Sequence, residues 1–92
     1  MAAFSSTERI KRRYLLVKGR REFIEKAILD YLGMLGWARA APVFLPAHEE
    51  KCVVAVERKE LVHVRAALAL APEGLKVIRV SGTLKGLGIR KP

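Results

Sequence analysis

Asparagine and glutamine are absent from the 92-residue chain, and cysteine occurs once, as Cys52. A single cysteine excludes an intrachain disulfide and a cysteine-rich metal site. Because Cys52 lies in the apolar run 52–56, we expect a buried thiol. The missing amides are typical of heat-adapted proteins, and their absence also removes the side chains that usually read adenine in nucleic-acid grooves.

Long apolar runs are missing as well. No stretch approaches the roughly 20 residues that cross a membrane, and the first residues lack the apolar core of a signal peptide. We therefore expect a cytoplasmic protein with no membrane attachment. His48 and His63 form no pair at metal-binding spacing, and no nucleophile motif or catalytic carboxylate pair is present. The sequence therefore predicts neither enzymatic activity of its own nor a bound metal or cofactor.

One enzyme analogy concerns residues 19–21, Gly-Arg-Arg, which follow the first predicted strand. Acylphosphatases have a phosphate-binding loop with an arginine at the same place. That family also requires a catalytic asparagine, and this chain has none. The analogy is therefore rejected.

Charge is concentrated at the two ends of the chain, which has a formal net charge of +9. Residues 1–21 contain seven basic residues and one acidic residue, a net +6, and residues 76–92 contain five basic residues and no acid, a net +5. The middle segment, with six bases and eight acids, has a net −2. Such a distribution is typical of a protein that binds a polyanion.

Because 51% of the residues are hydrophobic, we expect one folded domain over residues 1–92. The hydrophobic pattern predicts six elements in it. The four strands are expected at residues 14–17, 38–45, 51–57 and 75–81. The two helices are expected at residues 23–35, after the first strand, and 59–71, before the last. Leu35 is expected to face inward, and Gly36 to end the first helix in a left-handed conformation. The 38–45 strand contains Pro42, which predicts an edge strand. Residues 82–92 are expected to form a tail, with residues 1–10 and 86–92 as flexible basic ends.

A βαββαβ order predicts an α+β sandwich, ferredoxin-like and similar to an RNA-recognition motif. Its antiparallel four-stranded sheet has the usual order 4-1-3-2, with both helices on one face. The fourth strand lies beside the first, so we expect the two basic ends to converge into one RNA-binding patch. Its predicted residues are Lys11, Arg12, Arg13, Lys18, Arg20, Arg21, Arg79, Ser81, Gly82, Thr83 and Lys85. Ordinary solvated surface charge is the alternative for the clusters at 11–13 and 18–21.

Aromatic residues for base stacking are scarce on the predicted sheet. The third strand has none, and the first has only Tyr14, which is equally expected in the core. Arginine and lysine suit contacts to the phosphate backbone, so recognition by shape is favoured. A second surface, for a protein partner, is indicated by Val43, Phe44 and Leu45 on the edge strand, with ordinary core as the alternative.

Four segments together resemble the archaeal ribonuclease P protein component 2 family. They are Arg-Tyr-Leu-Leu-Val at 13–17, Ala-Ile-Leu-Asp-Tyr-Leu-Gly at 27–33 with Leu-Gly at 35–36, Val-Arg-Ala-Ala-Leu-Ala-Leu at 64–70, and Arg-Val-Ser-Gly-Thr-Leu-Lys at 79–85. In order and spacing they cover most of the chain. The Val-Arg-Ala-Ala-Leu and Ser-Gly-Thr-Leu-Lys pieces are the most specific.

The resemblance implies a non-catalytic subunit of ribonuclease P, the ribonucleoprotein that removes the 5′ leader of precursor tRNA. In that family the RNA supplies the chemistry with divalent metal, expected to be Mg²⁺. Expected partners are the ribonuclease P RNA, precursor tRNA, the barrel-shaped ribonuclease P protein component 3 and the other ribonuclease P proteins. Ser81, Gly82, Thr83 and Lys85 match the family motif. The alternative is a general RNA-binding or ribosome-associated protein.

Overall fold

The computed structural model describes residues 11–88 and confirms the βαββαβ order. Its elements are β1 (Arg12–Lys18), α1 (Arg21–Ala40), β2 (Val43–Pro46), β3 (Lys51–Glu57), α2 (Leu61–Leu70) and β4 (Lys76–Ser81). Two short 3₁₀ turns, Arg58–Glu60 and Lys85–Leu87, precede α2 and follow β4. Within residues 11–88, no helix is long and apolar enough to cross a membrane.

The strands form one sheet in the order β2-β3-β1-β4, and every neighbouring pair is antiparallel. This is the predicted ferredoxin-like arrangement, with β2 at an edge and β3 in the interior of the sheet. Interior position explains the nearly continuous apolar sequence of β3, because side chains on both of its faces are buried. Val54 belongs to the main core, while Val53 is buried on the opposite face.

The main core lies between the sheet and the two helices. Leu15 and Val17 of β1 point to this side, and Ile24, Ile28 and Leu68 of the helices pack against them. Each of the five is at most 1% exposed. Burial of an aliphatic side chain of this size stabilises a fold by about 1.5–3 kcal/mol, so this layer fixes the helices on one face of the sheet.

The first helix is broken at Gly33, whose φ of 70° and ψ of −177° are non-helical. Gly36, predicted to end the helix, is instead helical and buried, and a Cβ there would lie 2.5 Å from the Cβ of Leu32. The helix continues to Ala41, which adopts the left-handed conformation (φ 46°, ψ 56°) and donates its N–H to the Trp37 carbonyl at 2.8 Å. The predicted cap at Gly36 was therefore wrong, as was a strand beginning at residue 38.

The break at Gly33 changes which side chains of α1 face outward. Leu35 was predicted to face inward but is 74% exposed, and its neighbour Met34 is 81% exposed. The residues that pack inward after the break are Gly36, Trp37 and Ala40. A glycine with positive φ interrupts the helical repeat, so the inward face is not continuous across it.

The described chain ends in a short 3₁₀ turn that packs against the sheet. Leu87, in the second 3₁₀ turn, is only 4% exposed. The turn contacts both β1 and β4. The sequence predicted a tail over residues 82–92, and within it the side chain of Leu87 is buried. The predicted flexible ends are residues 1–10 and 86–92, and of these residues 1–10 and 89–92 lie outside the described residues.

Candidate nucleic-acid interface

The predicted cations lie at both ends of β1 and do not form a single patch. Residues 11–13 stand at its start and residues 18–21 at its end, about 20 Å apart for a seven-residue strand. Antiparallel pairing places Ser81 beside Tyr14 and Lys76 beside Lys18. The structure thus places residues 81–85 beside residues 11–13, whereas residues 18–21 lie at the other end of β1. A single RNA-binding patch stays a prediction.

The end of the molecule around residues 18–21, which we call the mixed end, carries as many acids as bases. Arg21 Nε donates to Glu25 Oε2 at 2.5 Å, and Lys51 Nζ lies 3.5 Å from Glu49 Oε1. The Gly19 N–H donates to the Glu50 carbonyl at 2.9 Å, which brings the β2–β3 turn to this end. Formal charge cancels here between Lys18, Arg20, Arg21, Lys51 and Lys76 and the acids Glu22, Glu25, Glu49, Glu50 and Glu73.

The opposite end, which we call the basic end, has a large excess of cations. The Arg58 N–H donates to the Lys11 carbonyl at 2.8 Å, which joins the end of β3 to the start of β1. The cations at this end are Lys11, Arg12, Arg13, Arg39, Arg58, Lys59 and Lys85, against the acids Glu57 and Glu60, a net +5. Glu57 accepts the Lys59 N–H at 3.0 Å, and Glu60 lies 3.1 Å from His63 Nδ1.

Sequence reasoning missed three cations of the basic end, Arg39, Arg58 and Lys59. They belong to a segment whose net charge is negative, so a sum over segments hid them. Arg39 lies in the last turn of α1, whose end Arg12 contacts at Ala41. The signal that locates Arg58 and Lys59 is topological, because antiparallel pairing of β1 and β3 places Glu57 beside Arg12. The residues that follow Glu57 therefore join the cluster.

The three basic residues at the start of β1, residues 11–13, differ in their surroundings. Arg12 Nη1 crosses to donate to the Ala41 carbonyl at 3.1 Å, so this arginine helps to hold the end of α1. Arg13 Nη1 lies against the backbone of Gly82, 3.4 Å from where a Cβ would stand there. Lys11 is exposed. Lys11 is thus directed to the surface, whereas Arg13 is half-buried and donates a long hydrogen bond to the Arg12 carbonyl at 3.4 Å. Arg12 has a structural role as well.

Ser81 and Thr83 shape the turn that carries Lys85. Ser81 Oγ accepts the Thr83 N–H at 3.2 Å, and Thr83 Oγ1 accepts the Gly86 N–H at 3.0 Å. A hydroxyl that accepts a hydrogen bond can still donate its own hydrogen, so both keep a donor for an anion. Gly82 lies against Arg13, and the turn that carries Lys85 contacts β1, so the three residues share one corner of the basic end.

Gly86 should be indispensable to this turn. A Cβ there would overlap Ser81 Oγ and lie 2.9 Å from Ser81 Cβ. We expect Gly86→Ala to lower the free energy of unfolding in urea by about 1–3 kcal/mol, the usual cost of overpacking. Adding Ser81→Ala should recover part of that loss, since the overlapping oxygen is gone. Equal stability of Gly86→Ala and the parent protein would contradict the described turn.

Arg79, the remaining predicted cation, lies between the two ends. It lies on the edge strand β4, pairs with Leu16 halfway along β1, and is exposed. Its neighbour Val80 packs on the main core, so Arg79 points to the face away from the helices.

Cys52 lines a cleft of about 470 Å³ at the mixed end, together with Arg20, Arg21 and Glu50. The thiol is buried, as predicted. Burial raises the pKa of the Cys52 thiol, and the nearby Arg21 charge lowers it in part. Among residues 11–88, no group of three or more His, Cys, Asp or Glu side chains could hold a metal ion.

The residues predicted to contact a protein partner are mostly part of the fold. Val43 is exposed, whereas Phe44 packs against Trp37 with a ring-centroid distance of 6.0 Å. The Arg21 guanidinium lies 5.0 Å from the Phe44 centroid, and Leu45 is half-buried. The alternative of ordinary core therefore holds for Phe44, and a partner role for this segment stays a prediction.

Comparison with known proteins identifies a relative that covers most of the chain. No protein-family profile matches the chain. A curated protein of Thermococcus kodakarensis, named Ribonuclease P protein component 2, is 41% identical to it over an alignment of 99 residues. The alignment covers 88% of this chain and 82% of that protein.

Proposed function

Because the chain belongs to the ribonuclease P protein component 2 family, we propose that it is a non-catalytic protein subunit of ribonuclease P. In this proposal it binds and stabilises the catalytic RNA. The RNA, with Mg²⁺, removes the 5′ leader of precursor tRNA. Its other partners would be precursor tRNA, the barrel-shaped ribonuclease P protein component 3 and further ribonuclease P proteins, in the cytoplasm of a heat-adapted archaeon.

The observation that carries the RNA-binding proposal is the net charge of +5 at the basic end. Cations placed against phosphates release condensed counterions from RNA, and that release favours binding at moderate salt. Both acids at this end already have partners within the chain. The positive charge is therefore available to an external anion.

The corner formed by Arg13, Gly82 and Lys85 suits contacts to the phosphate backbone. An arginine guanidinium can donate two parallel hydrogen bonds to one phosphate, and a lysine adds a point charge. The glycine leaves the backbone of the turn accessible beside Arg13. These contacts read charge and shape and carry no base sequence, which fits a protein that supports a folded RNA.

Neutralised phosphates would allow the RNA to fold compactly at moderate magnesium. Each phosphate contacted should add about −0.7 to −0.9 to the slope of log affinity against log salt. Five such contacts would give the strong salt dependence expected of a charge-driven RNA binder. A shallow slope would indicate that the RNA is held by other means.

Precursor-tRNA cleavage tests the proposal. The ribonuclease P RNA of the same organism is assayed at moderate magnesium with its full set of proteins, and then with this chain omitted. We expect omission to reduce cleavage and addition to restore it. Unchanged cleavage, with RNA binding intact, would replace the proposal with a general RNA-binding or ribosome-associated role.

A further inference from the structure

The second helix is apolar on nearly all sides. Of its ten residues, Leu61–Leu70, only His63 and Arg65 are polar. Val64 and Leu68 are buried in the main core, yet Val62 is 73% exposed and Leu70 59% exposed. A helix that is apolar all round is normally covered on all sides. The outer surface of α2 therefore exposes apolar side chains that a helix of this composition normally buries.

The outer surface has the spacing of a helix-packing seam. Val62, Ala66 and Ala69 are exposed and follow one another at intervals of four and three residues, the repeat by which one helix packs on another. Ala66 and Ala69 face outward, away from the main core. Small side chains at these places let a partner backbone come close.

A groove of about 450 Å³ runs between this stripe and β4. Its apolar lining comes from Ala66, Ala69, Leu75 and Val77, and its charged lining from Arg65 and Lys76. Both charged side chains are cationic and exposed. The groove therefore combines an apolar floor with positive charge.

We propose that the groove between α2 and β4 docks an amphipathic helix of another protein. The apolar side of that helix packs on Val62, Ala66 and Ala69, and its acidic residues face Arg65 and Lys76. The inference rests on the proposed function in one respect: a ribonucleoprotein subunit has other proteins of the same particle as neighbours. Because the side chains at the rim, Arg65 and Lys76, are cationic, a partner helix with acidic residues fits the groove best.

A partner strand fits this surface less well than a helix. β4 is an edge strand, and its pairing with β1 shifts register between Leu16 and Val17, so that Ile78 is left without a partner on β1. Such an irregularity bends an edge and discourages strand addition. RNA also fits less well, because phosphates gain nothing from aliphatic side chains and the groove has two cations where the basic end has seven.

The test introduces charge on the stripe. Ala66→Glu with Ala69→Glu should weaken binding to the partner protein subunit at least about tenfold, measured by titration of the other protein subunits of the particle without RNA. Ala38→Glu, at an exposed position of α1, is the matched control and should change nothing. Thermal unfolding of each variant checks that the fold is retained.

A second measurement separates protein from RNA as the occupant. Hydroxyl-radical footprinting of the full chain should show Val62 and Leu70 protected by a protein subunit and left reactive by RNA alone. Reversal of the rim charge, Arg65→Glu with Lys76→Glu, should weaken the same complex. Protection by RNA alone, or protein binding unaffected by the stripe variants, would overturn the proposal.

Failure of the groove and failure of the proposed function are distinguishable. The stripe variants leave the basic end intact and add two negative charges elsewhere, so RNA affinity should fall by less than about threefold. If the parent protein neither binds RNA nor supports precursor-tRNA cleavage, the proposed function fails. Intact RNA binding with no protein docked on α2 removes only the groove.

Discussion

Replacement of Lys11, Arg13 and Lys85 together by alanine should lower affinity for ribonuclease P RNA about tenfold or more at moderate salt. These three side chains lie at the basic end, and none of them holds an acidic partner among the described salt bridges. If each contacts one phosphate, their loss should make the log–log salt slope shallower by about two to three. Filter binding across a salt series measures both quantities. Arg12 is left in place because it holds the Ala41 carbonyl.

The mixed end provides a control of equal charge. Lys18, Arg20 and Lys76 are exposed. Their replacement by alanine removes three positive charges, as many as the first triple variant does. Because acids balance the cations there, we expect less than about a threefold loss of RNA affinity, mainly from the change in overall charge. Equal losses for the two triple variants would show that the RNA does not distinguish the two ends.

Ile28→Ala should lower the free energy of unfolding by about 2–5 kcal/mol. Ile28 is fully buried between α1 and the sheet, so its truncation removes apolar burial and leaves a cavity. Domains of this size have about 5–15 kcal/mol of stability in total, which makes this a large share. Urea unfolding followed by circular dichroism gives the value.

Leu29→Ala is the matched control for the core variant. Leu29 follows Ile28 on the same helix and is exposed, so its truncation should cost less than about 1 kcal/mol. The difference between the two variants reports the direction in which α1 faces. Similar losses would mean that the buried face of α1 has been misassigned.

The sheet could be predicted because its signals are local and agree with one another. The apolar run of β3 indicated a central strand, and Pro42 indicated an edge, and both were confirmed. Given six elements in this order, right-handed connections and antiparallel neighbours leave few topologies. The bounds of α1 were harder, because Gly33 and Gly36 lie within one turn of each other. Only the packing of Gly36 against Leu32 decides between them.

The grouping of the candidate interface residues followed from the sequence in part. The basic chain ends suggested that residues 11–13 and 81–85 lie together, and the pairing of β4 with β1 places them so. Charge counted along the chain could not show that Arg20 and Arg21 lie among carboxylates, or that Arg58 and Lys59 join Lys11. Those facts depend on the β1–β3 pairing and on the turn at Glu50, which bring together residues distant in sequence.

The unequal ends of β1 also make the protein an electric dipole, with its positive pole at the basic end. Near a polyanion, such a dipole experiences a torque that turns the basic end forward before any contact is made. Ions screen charges over about 8–10 Å at physiological salt, less than the distance of about 20 Å between the two ends of β1. The RNA therefore attracts the basic end when that end faces it, while the charges of the mixed end are screened. This difference orients the protein over about the last 10 Å of its approach.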